Sequence, residues 1–256
     1  MKKYELVRDS AKLVNGKPLF RIRSLVDFSD IKAGDIGGFV ESEHNLSHVG
    51  DCWVYDNAKV RDNAEVLDNS KMFDNAEMSG NSKMFGNSQM FDDSEMHDNS
   101  QMFENSKMRG NSAMFDNSVM HDNSQMFENS RMCGLTKMFD NSVMSGNSAM
   151  FNHAEMWDNS EINGNSKMFD YSKMFGNSKM FDDSEMGGHS KMFENSKMRG
   201  KSRILDYAEM HGSSQMFDNS VMLENSKMFD NAWMSGNSAM FDRAEMRGNS
   251  EINGNS

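Results

Sequence analysis

The chain has 256 residues and a formal net charge of −12, and 29 of its residues are methionine against a single proline. Hydrophobic residues make up 37%, with Leu, Ile and Val scarce, which excludes a globular core of branched aliphatics. Yet 18 Phe and 29 Met on a fixed beat also exclude the disordered chain that such polarity would otherwise indicate.

No stretch approaches the roughly 18 consecutive apolar residues of a spanning helix. The basic start Met1-Lys2-Lys3 is not followed by the apolar run of a signal peptide. In chain order, residues 1–50 read as a capping segment and residues 51–256 as a repeat. Lys12 to Val14, Asn15-Gly16 and Pro18 to Arg23 predict a β-hairpin, because Asn-Gly tolerates the positive φ angles of a tight turn. Gly34, Gly37 and Gly38 then read as a loop leading to the first rung. A cap is physically required there, since the first rung of a parallel array otherwise presents an unpaired edge. No comparable cap follows Glu251, so end-to-end contact between chains, an open edge or a truncated array is the expectation at that end.

From Val54 the chain runs on a six-residue period without insertion or deletion. Val54, Val60, Val66, Met72, Met78, Met84, Met90 and Met96 open a series of 34 anchors ending at Ile252, of which 28 are Met. Two residues before each anchor stands Ser, Ala, Thr136 or Cys52. Two residues after it stands Asp, Glu, Gly or Asn, followed by Asn in 24 hexads. A period of six fits neither the 3.6-residue helix nor the heptad. Asp-Asn and Gly-Asn are turn chemistry, and between turns lies a short strand such as Ser70-Lys71-Met72-Phe73. Side chains alternate across a strand, so Ser and Met share one face and Lys and Phe the other. Lys, Glu and Gln dominate the column before the anchor, which marks that side as the solvent face. The Met and Ser columns therefore point inward, and unbranched Met fills a narrow interior adaptably. The fold class is all-β, a single-stranded parallel β-solenoid.

Two hexads per coil give a flattened solenoid of 12-residue rungs, and three give a triangular one of 18. Phe recurs at 12-residue spacing from Phe91 to Phe151, which favours two faces locally. However, Met138 to Ser166 reappears as Met228 to Ser256, a shift of 90 residues. That shift is a whole number of 18-residue rungs but not of 12-residue ones. The 18-residue coil is favoured.

The inward anchor with a small residue two before it resembles the hexapeptide repeat of left-handed β-helix proteins. The earliest hexads, around Val54 and Val60, match it best, and the Met version is a departure. The leader is more specific. Phe20 to Phe28, Lys32 to Glu41 (KAGDIGGFVE), Asn45-Leu46-Ser47 and Gly50 to Tyr55 together resemble uncharacterised bacterial and prophage proteins with variable numbers of hexads. The resemblance implies a left-handed triangular β-helix, but leaves function unassigned.

Many hexapeptide-repeat proteins are acyltransferases, which use a histidine base between subunits and a loop extruded from the helix. No loop is extruded in these 34 hexads. His97, His121 and His211 stand at the outward position after an anchor, and His153 and His189 replace Asn in turns, so all five read as solvent-facing. Leader residues His44 and His48 have no supporting constellation. No catalytic residue is expected, and no cofactor.

Twenty hexads carry Asp or Glu at the first turn position. Stacked carboxylates could hold calcium, but their spacing matches no calcium loop and interleaved glycine breaks the column; no metal ion is expected. Cys52 and Cys133 lack the spacing of a zinc or redox motif, which favours a reduced, cytoplasmic environment.

The Phe column carries the functional expectation. In the 18-residue frame one face collects Phe85, Phe103, Phe139, Trp157, Phe175, Phe193 and Phe229. Stacked aromatics can simply stabilise a parallel sheet. A large aromatic strip also marks a partner surface, and side-by-side association of chains would bury this one. The repeat carries 19 basic and 32 acidic residues, which disfavours direct nucleic-acid binding but leaves open mimicry of DNA toward a protein. The sequence thus predicts a non-catalytic scaffold, homo-oligomeric or bound to another protein, without membrane or nucleic-acid contact. An acyltransferase relative and a DNA mimic are the alternatives.

Overall fold

In a computed structural model, residues 2–254 are described; Met1, and Asn255 and Ser256 of the last hexad, lie outside the described residues. The chain divides into two compact units, Met1–Asn123 and Ser124–Ser256.

The first unit opens with strand β1 (Tyr4–Val14) paired antiparallel to β2 (Lys17–Ser24). Asn15 and Gly16 between them have φ of 50° and 78°, the two positive angles that the Asn-Gly dipeptide anticipates. Strand β2 pairs antiparallel with β3 (Ile36–Val40), and β3 pairs in parallel with Lys59–Val60. β3 thus converts a hairpin into a parallel stack. Gly37 and Gly38 lie within β3, not in a loop. The reason is steric, because a Cβ on Gly38 would stand 2.6 Å from Ala58 O and 2.7 Å from a Val54 methyl. Asn45, in a single 3₁₀ turn (Glu43–Asn45), donates through Nδ2 to Ala64 O at 2.9 Å and so ties the cap to the rung beneath.

Beyond the cap, two-residue strands alternate with turns on three sheets. Trp53 pairs with Lys71, Lys59 with Glu77 and Glu65 with Lys83, each 18 residues on. In the second unit Gln125 pairs with Val143, Arg131 with Ala149 and Lys137 with Glu155 in the same step. The fold is a parallel β-solenoid with 18-residue coils, and the 12-residue alternative is excluded by this register. Val54, Val60, Val66, Met72, Met78, Met84, Met90 and Met96 are fully buried, as are the Ser and Ala residues that precede most anchors.

The turns explain the hexad. In many of them the N–H of the small residue reaches back three positions, as from Ala76 to Phe73 O at 3.2 Å. The first turn residue has positive φ in every hexad, whether Gly, acid or, once, Asn152, as with Asp74 at 58° and Gly80 at 71°. The left-handed burden therefore falls on Asp, Glu and Gly, and not on the Asn that follows. An L-residue there loses about 1–2 kcal/mol in the least favourable case. The acid recovers it through its side chain. Asp92 Oδ2 accepts the N–H of Gly110 at 3.0 Å, and Asp158 Oδ2 that of Gly176 at 2.8 Å. Such a bond to a charged acceptor contributes about 1.5–3 kcal/mol and satisfies a donor that the sheet ladder leaves over. The following Asn residues stack in ladders, with Asn63, Asn81 and Asn99 bonded amide to amide at 3.0–3.1 Å.

Met156→Ala should cost about 2–5 kcal/mol through the cavity left behind, and Met156→Leu less than about 1.5 kcal/mol. Gly38→Ala should cost about 1–3 kcal/mol by overpacking β3 against the first coil. Chemical denaturation midpoints of the three variants against the parent check these values.

Candidate interaction face

On the third sheet of each unit, the side chain after the anchor is aromatic in almost every coil. Coils stack about 4.8 Å apart, which is also a favourable spacing for offset rings. In the first unit Phe85 stacks on Phe103 at 4.8 Å and Phe103 on His121 at 4.5 Å. In the second unit Phe139 stacks on Trp157 at 3.9 Å, and Phe175 on Phe193 at 5.2 Å; Trp157 and Phe175 are looser, at 6.5 Å. Phe193, His211 and Phe229 continue at 4.6 and 5.0 Å, and the Arg247 guanidinium lies 4.5 Å over Phe229. Every ring in these columns is half-buried. Ring faces cover one another, and mostly edges reach the surface.

The repeat histidines face outward, half-buried or, at His189, exposed, and they also serve as ring partners. His121 and His211 are members of the ring columns, in coils where the sequence pattern shows a gap between Phe residues. His97 likewise stacks on Phe115 at 5.1 Å, with Nδ1 2.7 Å from Ser79 Oγ. At the turn that leads onto the third sheet of the second unit, His153, Tyr171, His189 and Tyr207 form another continuous stack at 4.5–4.9 Å. The 18-residue spacing of these four was present in the sequence. It was hidden because each substitutes for Asn in a different hexad, and only the post-anchor column was read as aromatic.

Between the two aromatic columns of the second unit runs a charged one. Lys173 Nζ lies 2.8 Å from Glu155, and Lys227 Nζ and His211 Nε2 lie 2.7 and 3.2 Å from Glu209. Trp157 Nε1 also donates to Glu155 at 3.1 Å. Burial pushes the Glu155 carboxyl up, but Lys173 and Trp157 outweigh it and hold it below the ordinary carboxylate range. Glu209 is held down in the same way, against its burial, by Lys227 and His211. Exposed ion pairs contribute about 0–1 kcal/mol each, and stacked rings about 0.5–1.5 kcal/mol beyond their buried area. The rings are the stronger part of the face.

Two other clusters bear on chemistry. Asp30 in the cap accepts the Tyr55 hydroxyl at 2.9 Å and Lys71 Nζ at 2.7 Å. Lys71 and Tyr55 hold the Asp30 carboxyl down to about 2 against its partial burial. Burial and the Asp30 charge push the Tyr55 phenol up to about 12, against Lys71. A phenol raised so far is a donor and not a base, so this cluster clamps the cap to the first coils. A cavity of about 350 Å³ is lined by Asp183, Glu185, Lys201, Arg203 and Asn219, with no nucleophile or imidazole in its wall. No group of three or more His, Cys, Asp or Glu arranged to hold a metal ion occurs among the described residues. No helix among them is long and apolar enough to cross a membrane.

Set against models of known protein families, the chain matches none. No curated protein matches it in sequence either.

A depressed carboxyl pKa stabilises the fold above the unfolded value, and that stability is lost as pH falls through the folded one. The second unit should therefore lose stability as pH drops below the ordinary Glu range near about 4.3. Lys173→Met should weaken the loss that arises at Glu155. Denaturation midpoints across an acid titration of parent and variant check this.

Proposed function

We propose that the protein is a non-catalytic scaffold whose third sheet associates side by side with a second copy of the chain. One observation carries this reading. In the second unit two aromatic columns, His153 to Tyr207 and Phe139 to Phe229, flank a Lys/Glu column whose charges are largely paired. A flat face with ring edges on both sides and neutralised charge between them loses little by leaving water. Its Trp, Tyr and His composition suits a protein interface better than a solvated wall. The first-unit residues Phe85 and Phe103 extend the same chemistry on their own sheet.

The 18-residue coil supports kinship with hexapeptide-repeat left-handed β-helices, and the Lys32 to Glu41 leader supports kinship with the bacterial and prophage proteins that carry it. The spacing of Cys52 and Cys133 supports a reduced, cytoplasmic setting, and the acidic repeat supports a protein partner rather than nucleic acid. The acyltransferase alternative draws no support from the repeat histidines, which lie within stacks. The DNA-mimic alternative is weakened because many turn carboxylates accept backbone N–H groups of the next coil, as at Asp92 and Asp158.

The triple variant Phe139→Ser, Phe175→Ser, Phe193→Ser should have a smaller mass in solution than the parent by light scattering, while keeping the β circular dichroism spectrum. The same mass for both proteins retires the interface.

A further inference from the structure

The cap holds a buried amine and a buried thiol in contact. Lys3 is 4% exposed, and Cys52, at the start of the first coil, is fully buried. Lys3 Nζ lies 3.3 Å from Cys52 Sγ, 2.9 Å from Cys52 O and 3.1 Å from Gly50 O. The Phe28 ring stands 4.8 Å away on another side. No carboxylate reaches Lys3 within ion-pair distance among the described residues, although such contacts occur elsewhere, as from Lys2 to Glu43. A charged group so deeply buried ordinarily has an anionic partner. Among the described residues the group in contact with it is the Cys52 thiol, which burial holds above the ordinary thiol value against the pull of Lys3.

Carbonyl binding alone gives Lys3 Nζ two acceptors, Gly50 O and Cys52 O. It does not account for a cysteine at a position that Ser or Ala fills in all but one of the other hexads. The cover over the pair is thin. Cys52 Sγ donates toward Ser47 O at 3.4 Å and Val49 O at 3.8 Å, in a segment where Ser47 and His48 are half-buried and Val49 is 78% exposed.

We propose that Lys3 and Cys52 form a modification site, at which hydrogen peroxide joins Nζ to Sγ in a reducible covalent bridge. The Cys52 sulfur attacks one peroxide oxygen, the O–O bond breaks as the S–O bond of a sulfenic acid forms, and the departing hydroxide leaves as one water with a proton from the Lys3–Cys52 pair, so that the amine is left neutral. Sulfenic acids condense with nearby nitrogen to give sulfenamides. The neutral Lys3 amine attacks the sulfur with its lone pair, the N–S bond forms and the S–O bond breaks. The departing hydroxide takes a proton from nitrogen as a second water. In sum, one amine, one thiol and one peroxide give one N–S bond and two waters; sulfur loses two electrons and the peroxide gains them. The bridge ties the start of β1 to the first coil, across 49 residues of sequence, and so locks the cap in place under oxidising conditions.

The test treats the full-length protein with hydrogen peroxide, digests it without reductant and maps the peptides by mass. The expected product joins the peptide carrying Lys3 to the one carrying Cys52, at the sum of their masses less two hydrogens. Trypsin should no longer cut after Lys3, and dithiothreitol should restore both peptides. Lys3→Arg and Cys52→Ser should each abolish the product, and amide exchange of β1 should slow in the bridged parent. Cys133 serves as an internal measure of oxidation. Recovery of Cys52 as a free thiol or a sulfinic acid, with Lys3 still cleavable once Cys133 is oxidised, overturns the proposal on the parent protein alone.

Discussion

The in-register hydrogen bond from one coil to the next governs everything else in this molecule. Tyr55 N–H donates to Met72 O at 2.8 Å, Phe73 N–H to Met90 O at 2.9 Å, and the same step recurs along each sheet. A parallel array with an 18-residue step places like on like. Each position type therefore becomes a column, and its chemistry is judged as a stack and not as a single residue. Met beneath Met makes a continuous thioether interior, Asn beneath Asn an amide ladder, and ring beneath ring an aromatic column. One unsuited residue disturbs only its neighbours above and below, since each coil contacts little else.

The same constraint explains the unusual composition. A coil with three two-residue strands encloses a narrow interior, which Val lines in the first coil and flexible, unbranched Met lines adaptably in nearly all the rest, with a small residue beside each turn. The turn demands positive φ every six residues, and glycine alone would leave the chain with a large unfolded-state entropy to lose. Asp and Glu accept the conformation at some cost, which their carboxylates offset by binding the next coil's N–H. Much of the acidity is thus structural. The net charge of −12 follows in part from the turn geometry, with no polyanionic role required of it.

The architecture was legible in the sequence because its period is strict. The anchors, the inward small column, the hairpin at Asn15-Gly16 and the 18-residue coil follow from spacing and alternation alone. Gly37 and Gly38 misled because glycine pairs resemble loops. Here they serve the close approach of β3 to the first coil, a packing reason that one strand's sequence does not display. The interaction face was legible only in part. Phe, read alone, left gaps at His121 and His211, and the His153 to Tyr207 column went unseen among turn residues. Stacking is a property of neighbouring coils, and histidine joins a ring column only when the coils beside it supply the rings.

Local chemistry by itself thus determined that this chain would be a β-solenoid, since period, alternation and turn residues all act within a few positions. Only the tertiary structure decided which side chains meet. It set His211 between Phe193 and Phe229, spent the turn carboxylates on backbone donors, and buried Lys3 against Cys52. Those contacts join residues 18 or 49 positions apart. Distance in sequence carries no chemistry until the coil register and the seating of the cap bring such residues together.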